Sequence, residues 1–416
     1  MLMKQLILLL SLVTSAIAAF PYDEFNVFDY GATGFGEIDD SQAFLSAWRD
    51  ACSTITQSAR MIIPKGSFLL NPLLFSGPCE PQNIHFMVLG TIIAPDSPKS
   101  WKGRDSSQWI AFKDVIGLHV YGSGLIDGQG MHWWDQSCRY HPKQSKVFIT
   151  HMTKCSSCFQ EGCTKLAPTI FKFISCKEST LSNIYLVNSP QTHVLILNSK
   201  GFNVDNVMIQ APENSPNTDG IHIHSSHFVK ITNSIIGTGD DCISVGDYTS
   251  DIEIANIECG PGHGISIGSL GKNKEVVVVE NIHIHDSKLK GTTNGARIKT
   301  WQGGKGNIRH VTFENLVFDT VDNPIIIDQN YCDVRGTCKE EKNGVKISDV
   351  VYKNLQGTSS SKIAIDLNCS KAVPCTGITM ENINLVGLQQ GRPVTASCTN
   401  AQGREIGVNP GSCFNK

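Results

Sequence analysis

The second half of the chain repeats a short pattern in which apolar and polar positions alternate around an asparagine. The copies are LSNIYLV around Asn183, VDNVMI around Asn206, ITNSII around Asn233 and IANIEC around Asn256. They continue as VENIHI around Asn281, FENLVF around Asn315, ISDVVY around Asp349 and MENINL around Asn382. The steps between these marks are 23, 27, 23, 25, 34, 34 and 33 residues. Period-two alternation predicts strands, and the Gly and Asn/Asp/Ser clusters between copies predict turns. Repeats of this length suit an all-β fold, a right-handed single-stranded parallel β-helix whose rungs stack about 4.8 Å apart. A β-sandwich would need hairpin signals at regular positions, and Asn294-Gly295 falls in mid-pattern instead. The recurring asparagine is expected to form an inward amide ladder at a bend, a structural role.

The N-terminal part is less regular. Asp40 reads as an N-cap, and Phe44, Leu45, Trp48 and Ala51 share one face, predicting a helix over about 41–52. An amphipathic helix there would cover the open end of the solenoid. No Pro-, Gly- or Ser-rich linker divides the chain, so residues 20–416 are expected to form one β-helix domain.

A second strand in each copy can be aligned. Asp219-Gly220-Ile221-His222-Ile223, Asp241-Cys242-Ile243-Ser244-Val245 and His263-Gly264-Ile265-Ser266-Ile267 follow one another at offsets of 22 and 22. Asn294-Gly295-Ala296-Arg297-Ile298-Lys299 follows 31 residues later. Asp219, Asp241 and His263 then occupy one corner of successive rungs. Ile221, Ile265 and Ile298 point inward, while His222, Ser244, Ser266, Arg297 and Lys299 face outward together.

Composition sharpens this picture. Of 416 residues, 18% are charged and 40% hydrophobic, with a net charge of -3, which excludes a disordered chain and disfavours a nucleic-acid partner. The start, MLMKQLILLLSLVTSAIAAF, has a positive Lys4, an apolar run too short to span a bilayer, and an Ala16-x-Ala18 cleavage pattern. Residues 1–19 are therefore expected to be a signal peptide, and the mature protein to be secreted with no membrane association. Secretion makes the 15 cysteines disulfide candidates, and the odd number leaves at least one thiol free or paired between chains. Cys155, Cys158 and Cys163 have a spacing that zinc could use, but no matching second pair lies nearby.

Carboxylates one rung apart repel, and Asp240 beside Asp241 adds a third. Such a column is costly unless one acid is protonated or a cation lies near. Singly, an Asp in a turn or a His on a strand is a structural residue. Here acids, an imidazole, Arg297 and Lys299 converge on one face, which predicts a site. Acids act on a bond between units, and cations hold a ligand's carboxylates. Two carboxylates flanking a glycosidic oxygen is the chemistry of glycoside hydrolysis, though register alone does not fix the stereochemistry.

At these residues the sequence resembles the plant-type polygalacturonases of glycoside hydrolase family 28. Four motifs stand in family order: SPNTDG at 215–220, GTGDDC at 237–242, GPGHGISIGSLG at 260–271 and ARIKTW at 296–301. IDGQG at 126–130, NSPQTH at 188–193 and DQNYC at 328–332 are lesser matches. The resemblance implies a β-helix and inverting hydrolysis of α-1,4 bonds between galacturonates of pectin, without a metal or other cofactor. It implies Asp240 as general acid, Asp219 and Asp241 as the acids that activate water, and His263 near the general acid. Arg297 and Lys299 match residues binding the substrate carboxylate, Tyr331 matches a tyrosine of the cleft, and Asn217 holds its turn. His193 and Gln329 lie in matching motifs without an assigned chemical role. The disulfides it suggests are Cys242–Cys259, Cys52–Cys79, Cys369–Cys375 and Cys398–Cys413. The expected partner is a pectic polysaccharide of the cell wall, met by a monomer. Residues 139–163 form a segment longer than the family pattern leads one to expect. Two alternatives remain open from sequence: a pectate lyase-type activity, and a non-catalytic wall-binding protein on the same scaffold.

Overall fold

The computed structural model describes residues 22–135, 167–332, 338–388, 393–411, 413 and 414. The expected signal peptide, the 139–163 segment and the Cys155/Cys158/Cys163 group lie outside the described residues. Each coil of the chain contributes one short strand to an 11-stranded parallel sheet and one longer, bent strand or strand pair to a second parallel array. The fold is thus the expected parallel β-helix, right-handed as crossover connections between parallel strands are.

The 11-stranded sheet positions the site. Its neighbours in order include Val194–Leu197, Ile221–His224, Ile243–Val245, Ile265–Leu270, Asn294–Trp301, Asn323–Tyr331 and Ile363–Asn368. The register pairs Ile221 with Ile243, Ile243 with Ile265, and Ile265 with Ala296. The expected offsets therefore hold, and Ile221, Ile243, Ile265, Ala296 and Ile325 form one inward ladder, all buried. Removing such a side chain by Ile→Ala costs roughly 2–5 kcal/mol. Toward the N-terminal end the interior becomes aromatic, with Phe112 stacked on Phe173 at 5.5 Å between centroids.

The helix Ser41–Ser53 covers that end. Trp48 packs 5.1 Å from Phe75 and donates its indole N–H to the Ser76 carbonyl. Asp40 precedes the helix but makes no side-chain cap to it. Its carboxylate instead accepts from the backbone of Thr33 and Gly34, and Asp39 accepts from the Ser41 N–H.

The asparagine ladder differs from expectation in two ways. Asn183, Asn206, Asn233 and Asn256 lie outside the core and are exposed, and their amides bond along the outside of the bend. All are left-handed, with φ near +50°, a conformation that Asn tolerates better than most residues. The column also contains Asp286, Asn315, Asn354 and Asn382. Asn281 and Asp349 belong to a second left-handed column at another edge, with Asp251 and His310. Two bends share one residue preference, and spacing along the sequence merges them into a single series.

All four suggested disulfides are present, and Cys332–Cys338 adds one that sequence reading did not supply. Among the described residues Cys176 is a free thiol, buried in the core. No helix among the described residues is long and apolar enough to cross a membrane.

Candidate active site

Asp219, Asp241 and His263 each stand just before their strand, on adjacent rungs. The backbone ladder fixes this: Gly220 N–H donates to the Asp241 carbonyl, and His263 N–H to the Asp240 carbonyl. The Cys242–Cys259 disulfide anchors the residue that follows Asp241. At Asn217 the chain turns through φ +55°, so this residue shapes the turn, with its side chain exposed.

The three carboxylates have different surroundings. Asp241 is 1% exposed. Lys299 Nζ donates to its Oδ2 at 2.7 Å and Ser266 Oγ to its Oδ1 at 2.7 Å. The Arg297 guanidinium lies 3.9 Å from the same Oδ1. Asp240 is more open and accepts from the Asp241 N–H at 2.8 Å and meets His263 Nδ1 at 2.9 Å. Asp219 is half-buried, and Ser244 Oγ donates to its Oδ2 at 2.8 Å.

The charge pattern follows from these contacts. Burial, and then the charges of Asp240 and Asp241, push the Asp219 carboxyl well above the usual range. Burial also acts upward on Asp240, but the hydrogen bond and charge of His263, with Lys299 behind them, hold it down to about 2. Burial acts against the Lys299 ammonium, yet Asp241 raises it above its ordinary value, so the cation is firmly held. Two influences ease the column that would repel itself: Asp219 is pushed toward its protonated form, and the Lys299 cation stands against Asp241.

Asp240, Asp241 and His263 bring potential metal-ligand atoms within 4.8 Å of one another. The position opposite Asp241 is already filled by the Lys299 ammonium, and His263 engages Asp240, so this donor set is arranged around internal partners.

The wall beyond the cations is aromatic. Tyr331 meets Trp301 edge-on at 5.3 Å, and the Lys299 and Arg297 charges lie 5.5 and 5.7 Å from the Tyr331 ring centre. The buried Nε of Arg297 has no hydrogen-bond partner among the described residues.

All eight site residues expected from sequence thus gather around one stretch of the sheet, with Asn217 as a turn residue. Sequence reasoning placed Ser244, Ser266 and His222 on the outer face but gave them no part. Ser244 and Ser266 hold two of the acids, and His222 Nδ1 lies 2.7 Å from Ser244 Oγ. His193 and Gln329 act as supports. The fully buried His193 ring contacts the Asp219 and Gln210 carbonyls, and Gln329 donates to the Val345 carbonyl. The outward parity of Ser244 and Ser266 was the available signal, but a serine's partner cannot be read from parity.

Comparison with known proteins identifies the family. The family model for Glycosyl hydrolases family 28 matches residues 52–413. A polygalacturonase of Persea americana is 42% identical over 381 residues, covering 91% of this chain and 77% of that protein. Polygalacturonase QRT2 of Arabidopsis thaliana is 42% identical over 379 residues, covering 91% and 81%. Among solved structures, the endo-xylogalacturonan hydrolase of Aspergillus tubingensis aligns with a TM-score of 0.74 at 22% identity, covering 91% of this chain and 96% of that one. The exopolygalacturonase of Thermotoga maritima aligns at 0.70 with 21% identity, covering 92% of each chain. These two likenesses concern the fold. With a family model across most of its length and relatives above 40% identity, the chain belongs to the Glycosyl hydrolases family 28.

Proposed function

We propose that the protein is a secreted polygalacturonase that hydrolyses the α-1,4 bonds of homogalacturonan in the plant cell wall, with inversion. One observation carries this reading: three carboxylates and a guanidinium–ammonium pair gather within four successive rungs, where Lys299 and Arg297 meet Asp241 at 2.7 and 3.9 Å. The acids supply bond cleavage, and Arg297 and Lys299 supply recognition of a sugar that itself bears a carboxylate. The unpartnered Nε of Arg297 is a donor suited to that ligand. Names of relatives point to the same substrate class.

In this reading Asp240 delivers the proton to the leaving oxygen. Its hydrogen-bond partner is His263 Nδ1, 2.9 Å away. The pair acts as the general acid, and Asp219 and Asp241 position and activate water. Tyr331 forms the apolar side of the sugar site. The protein works as a monomer, outside the cell, after loss of residues 1–19. Residues 20–416 form its single domain.

The test is Asp240→Asn. Reducing-sugar release from de-esterified homogalacturonan should fall by about 10²–10⁴-fold, while binding of the polymer is retained. Release near the unmodified level would remove Asp240 from its role. An unsaturated, ultraviolet-absorbing product, or abolition of activity by a chelator, would establish a lyase instead. Proton NMR of the first product reads the anomeric outcome.

A further inference from the structure

Outward positions along the sheet form the floor on which the polymer would lie, one column of side chains per strand position. Following the register from one rung to the next, this column reads Lys172, Leu195, His222, Ser244, Ser266, Arg297. The acids stand beside its middle. The two directions away from them differ in chemistry.

On one side lie Arg297 and Lys299, both positive. On the other lie His222 and then Leu195, each half-buried and facing outward. The His222 ring is held neutral down to about 4, by burial first, then by His224 and Lys299. Its Nδ1 is engaged with Ser244. The next cation in the column is Lys172, one rung beyond Leu195. Its ammonium bonds Ser107 at 3.1 Å, a residue preceding the Gln108–Lys113 strand on the still more distant rung. Among the described residues, no fixed positive charge of this column therefore faces a sugar seated over His222 and Leu195.

We propose that the groove discriminates by ester pattern. It requires a free carboxylate on the Arg297/Lys299 side of the cut, and it accepts a methyl-esterified galacturonate on the His222/Leu195 side. The proposal rests on the polygalacturonase reading. A free carboxylate brought over Leu195 loses water and gains no cation, which is unfavourable. A methyl ester has no charge to desolvate, and its methyl group meets the leucine. Toward Arg297 the balance reverses: two cations there share the Asp241 carboxylate, and an ester, unlike a free acid, adds no negative charge to pair with them. Leu195 is thus a specificity residue of the floor, with His222 as its neutral neighbour.

The experiment uses the full-length protein and homogalacturonan that is partly and randomly methyl-esterified. Limited digestion followed by tandem mass spectrometry identifies the two sugars that flanked each cut. One flank should be free of ester throughout, and the other should carry ester near its frequency in the substrate. Leu195→Lys adds a cation to the neutral side. It should lower ester occupancy on the tolerant flank about five-fold relative to free acid, and leave the strict flank unchanged. Leu195→Gln, which adds no charge, should keep the ester on that flank. Ester absent from both flanks of the cuts made by the unmodified protein would overturn the proposal, whatever the variants do. So would a folded Leu195→Lys with an unaltered pattern. Failure to cut even fully de-esterified polymer would fall on the hydrolase reading and is thereby told apart.

Discussion

Ser244 reaches across one rung and donates its hydroxyl to Asp219, 2.8 Å from Oγ to Oδ2. This bond favours the ionised form of a carboxylate that burial and two neighbouring acids push toward the protonated form. If Asp219 activates water, it must shed its proton to work. Ser244→Ala should lower kcat/KM about 10–50-fold, from the loss of a charge-assisted hydrogen bond. It should also move the acidic limb of the pH profile upward, because the remaining influences on Asp219 raise it. A profile of unchanged shape would separate Ser244 from the titration of Asp219.

Asp219 should also be traceable in stability. Its folded value is raised, so the folded state keeps the proton to higher pH than the unfolded chain. Its contribution is favourable at low pH and is lost as pH rises from the unfolded value through the folded one. Asp219→Asn removes that dependence. Its Tm should exceed that of the unmodified protein by about 2–4 °C near neutrality, with the gain shrinking toward pH 4. A gain that grows on acidification would contradict the raised value.

The Cys242–Cys259 bond closes a loop of 17 residues behind Asp241. Chain entropy assigns such a loop about 3 kcal/mol. The double variant Cys242→Ala, Cys259→Ala should unfold at lower denaturant by that amount. Its residual activity should fall more steeply than that of Cys369→Ala, Cys375→Ala, whose bond lies farther along the coil. Equal activity losses would mean that the disulfide does not position Asp241.

The exposed asparagine column combines an amide chain with a left-handed backbone, which allows the two to be separated. Asn233 donates to Asp205 at 2.7 Å and accepts from Asn256 at 3.2 Å. Asn233→Gly keeps the backbone and loses the amide, whereas Asn233→Ala loses both. Chemical denaturation should rank the glycine variant above the alanine variant by about 1 kcal/mol. The reverse order would show that backbone handedness does not govern this bend.

Much of the site was legible because a solenoid turns sequence spacing into spatial columns. The equal offsets between Asp219, Asp241 and His263 needed only a constant coil length, and Ile221, Ile243 and Ile265 do pair as that length requires. The asparagines were harder. From Asn256 the next member of its column is Asp286, not Asn281, because the coil lengthens there and the second bend carries the same residue type. The contrast between a raised Asp219 and a lowered Asp240 was not legible either. It depends on His263 reaching Asp240 while Asp219 faces the other two acids, contacts between side chains far apart in sequence. Cys332 closes the DQNYC motif, but nothing in that motif named Cys338 as its partner.

The two left-handed edges have a consequence for how such a protein can diversify. They set where the chain bends through residues outside the groove, so the pitch of the spiral does not depend on the residues that meet the polymer. Leu195, His222 and their successors can then be exchanged like keys on a fixed frame, altering which pattern of decorated wall is digested without retuning the frame itself.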